Sequence, residues 1–209
     1  MEFIFSLILG AIQGVTEWLP ISSSAQTFLA MVSILKMKPE YALSMAFFLH
    51  GGSLLAVIIY FRRELFGILK AFRSKEWLSF KFSTKNSSLA SFLFFSTIST
   101  AIFGLPVYVF LREALVDYAT KANLIVGVFL VVTGLILHIS RNEISGRKAE
   151  SSSIKDMFIV GAAQGIAVLP GISRSGTTVA ALILRGYNQE EALRISFLME
   201  VPAILGITA

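Results

Sequence analysis

The chain has 209 residues, of which 55% are hydrophobic and 15% charged, with no cysteine and a mean hydropathy of +0.75. That composition excludes an ordinary soluble domain, which carries about 25% charged residues, and the missing thiols exclude disulfides, thiolate metal sites and a cysteine nucleophile. The net charge of +5 is no sign of nucleic acid, because the basic residues gather between apolar runs, where they set topology and meet anionic headgroups.

In chain order, Met1 to Leu9 lacks the basic start and cleavage pattern of a signal peptide and reads as mature protein. Ile4–Leu35 is apolar but interrupted by "QGVTEWLPISSSAQ". Leu43–Phe61 is long enough to span a bilayer, which takes about 20 residues as a helix. It is followed by "RRELFGILKAFRSKEWLSFKFSTK", read as a loop with seven Lys/Arg against two Glu. Leu89–Leu111 is a second span, Arg112–Lys121 a loop with two basic residues, and Ala122–Ile139 a third span. The loop Ser140–Asp156 carries four Lys/Arg and is the linker. Met157–Leu184 is again apolar but interrupted, here by "QGIAVLPGISRSGTT". The positive-inside rule places the loops after the first and third spans in the cytoplasm and the middle one outside. Neither half of an interrupted segment is long enough to span alone. Irregular backbone at membrane depth is tolerated only inside protein or beside a wet cavity, so each segment is expected to be a helix–loop–helix hairpin that enters and turns back.

The two hairpins read as copies. "GAIQGVTEWLPISSSAQT" from Gly10 and "GAAQGIAVLPGISRSGTT" from Gly161 agree without a gap at eight of eighteen positions. Those positions include Gly10/Gly161, Gln13/Gln164, Gly14/Gly165, Ser22/Ser173, Ser24/Ser175 and Thr27/Thr178. "ALSMAFFLHGGSLLAVI" from Ala42 also aligns with "ALRISFLMEVPAILGIT" from Ala192, which sets His50 against Glu200. Three spans lie between the copies, so the second must enter from the opposite face, which makes an inverted-topology repeat with its site at the repeat interface. The expected fold is therefore all-α: one polytopic membrane helical bundle over 1–209, with copy one at about 1–139, a loop at about 140–156 and copy two at about 157–209. Copy two is short by two spans, about 55–70 residues, so a fragment or truncated form is expected.

Two side chains are costly in lipid. An arginine at the bilayer centre costs about 2.5–3.5 kcal/mol on insertion scales, so Arg174 needs an anion. That anion is either Glu17, as a plain buried pair, or an oxyanion ligand suited to the planar guanidinium. The second half-helix opens at "SRSGTT", where free N–H groups favour an anion. Gly171 and Gly176 permit close approach, and Ser173, Ser175 and Thr178 add donors. Ser22, Ser23 and Ser24 do the same after Pro20. Glu17, one helical turn beyond Gln13, is either a helix-pairing carboxylate or a general base or ligand for a hard divalent cation. His50 reads mainly as helix packing, His138 as interfacial, Trp18 as packing and the loop cations as topology determinants. A serine beside such a base and an arginine are the parts of phosphoryl transfer.

These residues resemble a known family. "QGVTEWLPISSS" and "PGISRSGTT" are similar to the two signature motifs of the undecaprenyl-diphosphatase family of the UppP/BacA type, and the resemblance covers nearly the whole chain. It implies an integral membrane enzyme of the plasma membrane, its site opening outward, that converts a polyprenyl diphosphate to the monophosphate carrier used for envelope polysaccharides. It implies a divalent cation, Mg2+ or Ca2+, held at Glu17. Carried over, the acidic motif falls on Gln13 and Glu17, the paired serines on Ser22 and Ser23, and the phosphate-binding arginine on Arg174 within Ser173–Arg174–Ser175–Gly176. Many members have a histidine where Gln26 stands here, so Gln26 is a substrate-side position; if that histidine is essential for proton transfer, this chain is expected to be slower or to use Glu17 alone. The expected partners are the polyprenyl diphosphate and the bilayer, with no nucleic acid and a homodimer as candidate assembly. A transporter or flippase for an anionic polyprenyl-phosphate lipid is the rival reading, because inverted repeats with broken helices are transporter architecture.

Overall fold

The computed structural model describes residues 2–79, 84–117, 122–141, 146–169 and 171–208. Pro170, Lys81 and Lys121, which figured in the motif and loop readings, lie outside the described residues. The described residues are helical and hold no strand; one isolated bridge joins Arg147 to Tyr187.

The first interrupted segment forms α1 (Glu2–Glu17) and α2 (Ser23–Leu29), the latter running on into a π-helical turn, Ala30–Ile34. The second forms α7 (Ile154–Ile166) and α8 (Arg174–Leu184). The breaks fall where the sequence puts Pro, Gly and hydroxyls. At the second break Gly171 takes φ +100°, and a Cβ there would stand 2.6 Å from Val126 O. Only glycine satisfies both demands, the left-handed backbone and the close pass under a neighbouring helix. α8 starts cleanly, because Ser173 caps it by accepting from Gly176 N–H at 3.1 Å.

Between the two elements run α3 (Pro39–Tyr60), α4 (Arg62–Ser74), α5 (Lys85–Asp117) and α6 (Ala122–Ser140); α9 (Gln189–Thr208) closes the described chain. Two loop readings are corrected. The basic stretch after the first span is not a loop through its length. Arg62–Ser74 is helix α4, bent 80° from α3. It buries Ile68 and Ala71 and leaves Arg62, Arg63, Lys70 and Arg73 on its outer side. Charge density hid the period of Leu65, Ile68 and Phe72, which is helical. The reading of Arg112 onward as a loop is also overturned, since α5 continues to Asp117.

α5 satisfies the length and hydropathy of a membrane-crossing helix over Lys85–Phe110, and α3 with α4 does so as one bent pair. α1 and α6 contain shorter apolar helices, Ile4–Glu17 and Leu124–Ser140. α5 and α7 make the most extensive helix pair, α5 also touches α9, and α6 lies along α8. The main apolar core joins α3, α4, α5, α7, α8 and α9 through residues such as Phe92, Met157, Leu182, Leu198 and Met199. A smaller core joins α1, α2 and α3 through Leu9, Phe28, Met31 and Ala46.

The linker is tied down at its far end. Asp156 is fully buried and accepts from Arg147 Nη2 (2.8 Å), Arg185 Nε (2.6 Å) and Ser153 N–H (2.9 Å). Burial alone would push its carboxyl up; the hydrogen bonds from Arg147, Ser153 and Arg185 outweigh burial and hold it well below the usual range. Tyr187, also buried, donates to Ser152 Oγ at 2.7 Å, and burial pushes its phenol up to about 12. This clasp fixes where α7 begins relative to the α8–α9 turn.

Candidate active site

The two broken elements meet at their breaks. A Cβ on Gly176 would stand 3.2 Å from Pro20 O, and Ser175 Oγ donates to Leu19 O at 3.4 Å. Glu17 is the last residue of α1 and Arg174 the first of α8, so each side chain leaves its helix end at the junction. Arg174 Nη2 donates to Glu17 Oε1 at 2.7 Å across 157 residues of sequence. Glu17 is 5% exposed and Arg174 17%. Glu17 is buried and Arg174 partly so, which screens the pair from water less completely than full burial but more than an open surface.

Glu17 collects further donors on its other oxygen. Ser23 Oγ donates to Oε2 at 2.5 Å and Gln13 Nε2 donates to Oε2 at 2.8 Å. His50 of α3 sets Nε2 3.4 Å from Oε2, while its Nδ1 donates to Ala46 O at 2.8 Å. The opposite end of the cluster is Glu200 of α9, fully buried, with Oε2 2.7 Å from Arg174 Nη2. Arg174 Nη1 donates to Ser196 O at 3.3 Å, one turn before Glu200 on the same face of α9. The result is an alternating row, His50–Glu17–Arg174–Glu200, in which α3 and α9 each send one side chain to one catalytic candidate.

The remaining sequence-derived candidates divide. Ser173 Oγ caps α8 and lies 3.3 Å from Ser175 Oγ. Thr178 is fully buried and shares a 2.5 Å hydroxyl bond with Ser196, which turns it toward α9 and away from the junction. Ser22 precedes α2 in the left-handed region at φ 61° and makes no side-chain cap. Its Oγ lies 3.5 Å from Ser24 Oγ. Gln26 Nε2 donates to Ile21 O at 3.4 Å. Of the paired serines, it is Ser23 that reaches Glu17.

Sequence reasoning missed three contributors. Ser196 O holds the guanidinium, and Glu200 was noted only as the repeat partner of His50. Thr133 of α6 accepts from Ser173 N–H at 3.1 Å and donates to Gly171 O at 3.3 Å, pinning the second break. The Glu200–His50 alignment was a usable signal, since an ionisable residue inside an apolar helix is a site marker. A lone threonine in a helix carries no such signal.

Among the described residues no group of three or more His, Cys, Asp or Glu could enclose a metal ion. Glu200 Oε1, however, lacks a hydrogen-bond partner although buried, while its Oε2 stands 2.7 Å from Arg174 Nη2. Glu17 and Glu200, each 2.7 Å from Arg174 Nη2, are the carboxylates that could reach a cation, and Mg2+ takes one or two when water and substrate phosphates complete its shell.

The bacitracin resistance protein BacA family matches residues 6–209. An undecaprenyl-diphosphatase of Methanothrix thermoacetophila is 42% identical over 209 residues, covering all of this chain and 75% of that protein. Undecaprenyl-diphosphatases of Saccharolobus islandicus (strain M.16.4) and Pyrobaculum aerophilum are each 39% identical, covering 99% and 100% of this chain and 72% and 76% of their own lengths. With the match running from within α1 to the end of α9, through both residues of the Glu17–Arg174 contact, the chain belongs to the bacitracin resistance protein BacA family.

Proposed function

We propose that the chain is a membrane phosphatase that hydrolyses a polyprenyl diphosphate of the undecaprenyl type to the monophosphate and inorganic phosphate. The observation that carries this is the 2.7 Å contact between Glu17 and Arg174, with Ser23 Oγ donating to the same carboxylate at 2.5 Å. Arg174 is the phosphate-holding cation, its planar fork suited to phosphoryl oxygens. Glu17 is the base: it stands within proton-transfer distance of the Ser23 hydroxyl. Ser23 Oγ attacks the terminal phosphorus, its proton passes to Glu17, and the bond to the bridging oxygen breaks as the polyprenyl monophosphate leaves. Water then cleaves the phosphoserine and regenerates Ser23. Gln13 holds Glu17 in place, and Ser173, Ser175 and Gly176 surround the phosphate with the N-terminal end of α8. Ser22, Ser24, Gln26 and Thr178 line or back the same junction. A divalent cation, Mg2+ or Ca2+, would be held by Glu17 and Glu200 and would neutralise charge on the phosphate oxygens.

The architecture that goes with this reading is a single multi-pass domain in the plasma membrane. Its two elbows, α1–α2 and α7–α8, are inverted repeats entering from opposite faces, with the site open to the outer side. Support comes from the eighteen-residue internal match and from the break-to-break contact. The test is phosphate release from a long-chain prenyl diphosphate by purified protein with magnesium. Arg174→Ala or Glu17→Ala, folded and inserted, should abolish release; full activity in either rejects the assignment. Because hydrolysis proceeds in detergent and transport needs two compartments, the same assay separates the phosphatase from a flippase.

A further inference from the structure

Helix α4 has two apolar stripes, and the fold covers one of them. Ile68 and Ala71 are buried in the main core, with Leu65 and Phe72 packed against it. Phe66 and Leu69 lie on the other side, 60% and 64% exposed. At roughly 100° per residue, Arg62, Phe66, Leu69 and Arg73 fall within about 60° of one another, and Arg63 and Lys70 flank them. All six are exposed, and no exposed carboxylate shares their face of the helix. Lys70 Nζ stands 4.6 Å from the centre of the Phe66 ring.

Two environments fit this face badly. Open water gives two large apolar side chains nothing, and burial against another protein helix would strand four cations without counter-charges. A lipid–water boundary suits both kinds of residue. Phenylalanine and leucine enter the acyl edge, while the long basic stems reach back to the phosphates. The backbone runs in the matching direction. α4 leaves α3 at Phe61 with a bend of 80°. Spanning helices tilt on average about 20° from the bilayer normal, so a helix turned that far from α3 runs close to the membrane plane. Its cations then select an anionic surface over a neutral one.

We propose that α4 is an in-plane anchor whose Arg63, Phe66, Leu69, Lys70 and Arg73 face binds the headgroup layer of an anionic lipid leaflet. The inference rests on the membrane reading above, in which α3 crosses the bilayer. The contact is passed inward. Glu64, on the other side of α4, stands 3.6 Å from Arg194 Nε of α9, and Tyr60 at the elbow meets Trp18 edge-on at 6.1 Å. Lipid that holds α4 in place therefore also holds the elbow against α9, the helix that brings Glu200 to Arg174.

The chain has no cysteine, so single cysteines report position directly. Phe66→Cys, Leu69→Cys and Arg73→Cys, with Ile98→Cys in the middle of α5 as reference, each carry a nitroxide in vesicles of phosphatidylcholine and phosphatidylglycerol. Depth is read from collisions with oxygen against those with a water-soluble nickel chelate. From 66 to 73 a helix rises about 10 Å. The expected result is one common depth for 66, 69 and 73 at the headgroup–acyl boundary, with 98 deep among the chains. Labels at 66 and 69 in water, or a depth gradient of about 10 Å along α4, overturn the proposal while 98 stays deep; a label at 98 in water overturns the membrane reading as well. The second arm tests charge. Arg62 is kept, because its Nη1 donates to Ile59 O at 2.8 Å near the end of α3. Adding phosphatidylglycerol to phosphatidylcholine vesicles should raise the thermal midpoint of the wild type. The rise should vanish in high salt and in the Arg63→Gln, Lys70→Gln, Arg73→Gln triple variant, and should persist in Arg63→Lys, Arg73→Lys. A rise that survives in the glutamine variant, or that the lysine variant loses, overturns the proposal. Phosphate release is not the readout, so the phosphatase assignment keeps its own assay.

Discussion

Arg174 touches two buried carboxylates, and that asymmetry predicts which substitution unfolds the protein. Counted as ionised groups, Glu17, Arg174 and Glu200 sum to one negative charge. Arg174→Ala leaves two carboxylates, 5% and 0% exposed, with no guanidinium between them. Removing one member of a buried pair costs about 3–5 kcal/mol, because the survivor is uncompensated. For a chain of this size about 1 kcal/mol moves the midpoint by 2–4 °C, so Arg174→Ala should lower it by roughly 6–20 °C. Glu200→Ala removes a carboxylate but leaves Arg174 paired with Glu17 at 2.7 Å, so no charge is stranded and its cost, that of the cavity, should fall below that of Arg174→Ala. The double variant should then be more stable than Arg174→Ala alone, with a coupling of about 0.5–3 kcal/mol. Trp18 is a convenient reporter, since its ring lies 4.6 Å from Phe197 and its backbone adjoins Glu17. Thermal unfolding of the four proteins in detergent, followed by tryptophan fluorescence with Trp77 replaced by Phe throughout, completes the cycle. If Glu200→Ala costs as much as Arg174→Ala, or if the two losses simply add, the charge argument is wrong.

Other outcomes follow from the same geometry. Ser23→Ala should reduce phosphate release far more than Ser22→Ala, since Ser23 reaches Glu17 and Ser22 reaches Ser24; equal losses would remove Ser23 as nucleophile. Thr133→Val leaves Ser173 N–H and Gly171 O without their partner, which should cost about 1–3 kcal/mol in thermal stability. An unchanged midpoint would show that α6 does not hold the second break. Asp156→Asn should cost about 1–2 kcal/mol at neutral pH, the low end because Arg147 and Arg185 are each a third exposed. Its folded carboxyl is depressed, so this stability is complete above the unfolded value of about 3.9 and is lost as pH falls through the folded value. The gap between wild type and variant should therefore stay constant from pH 8 to 5 and narrow only in stronger acid; narrowing near pH 6 would contradict the clasp.

What the sequence made legible was what lipid makes expensive. Glu17 and Arg174 stand out in an apolar chain, and the Pro, Gly and hydroxyl runs beside them mark the breaks that bring them together. The choice between Ser22 and Ser23 was not legible. Adjacent residues at a helix start differ by about 100° in direction, and the left-handed turn at Ser22 that sets this direction shows in no residue type. Thr133 and Ser196 act through contacts 40 and 22 residues away in the chain, and a threonine or serine in an apolar helix looks the same whether or not it has such a contact. Helix α4 was obscured for the opposite reason. Its period was present, but seven cations over the stretch drew the reading toward a loop.

The distance in sequence between the two charged partners sets a schedule for biogenesis. Glu17 emerges 157 residues before Arg174, an interval of about 8–30 s at ordinary rates of synthesis. Through that interval, in a bilayer, the first elbow holds a carboxylate whose counter-charge does not yet exist, so it has reason to linger at the headgroups. Arrival of the guanidinium supplies that partner, and on the proposed membrane reading the Glu17–Arg174 bond is then the latch that joins the two broken elements.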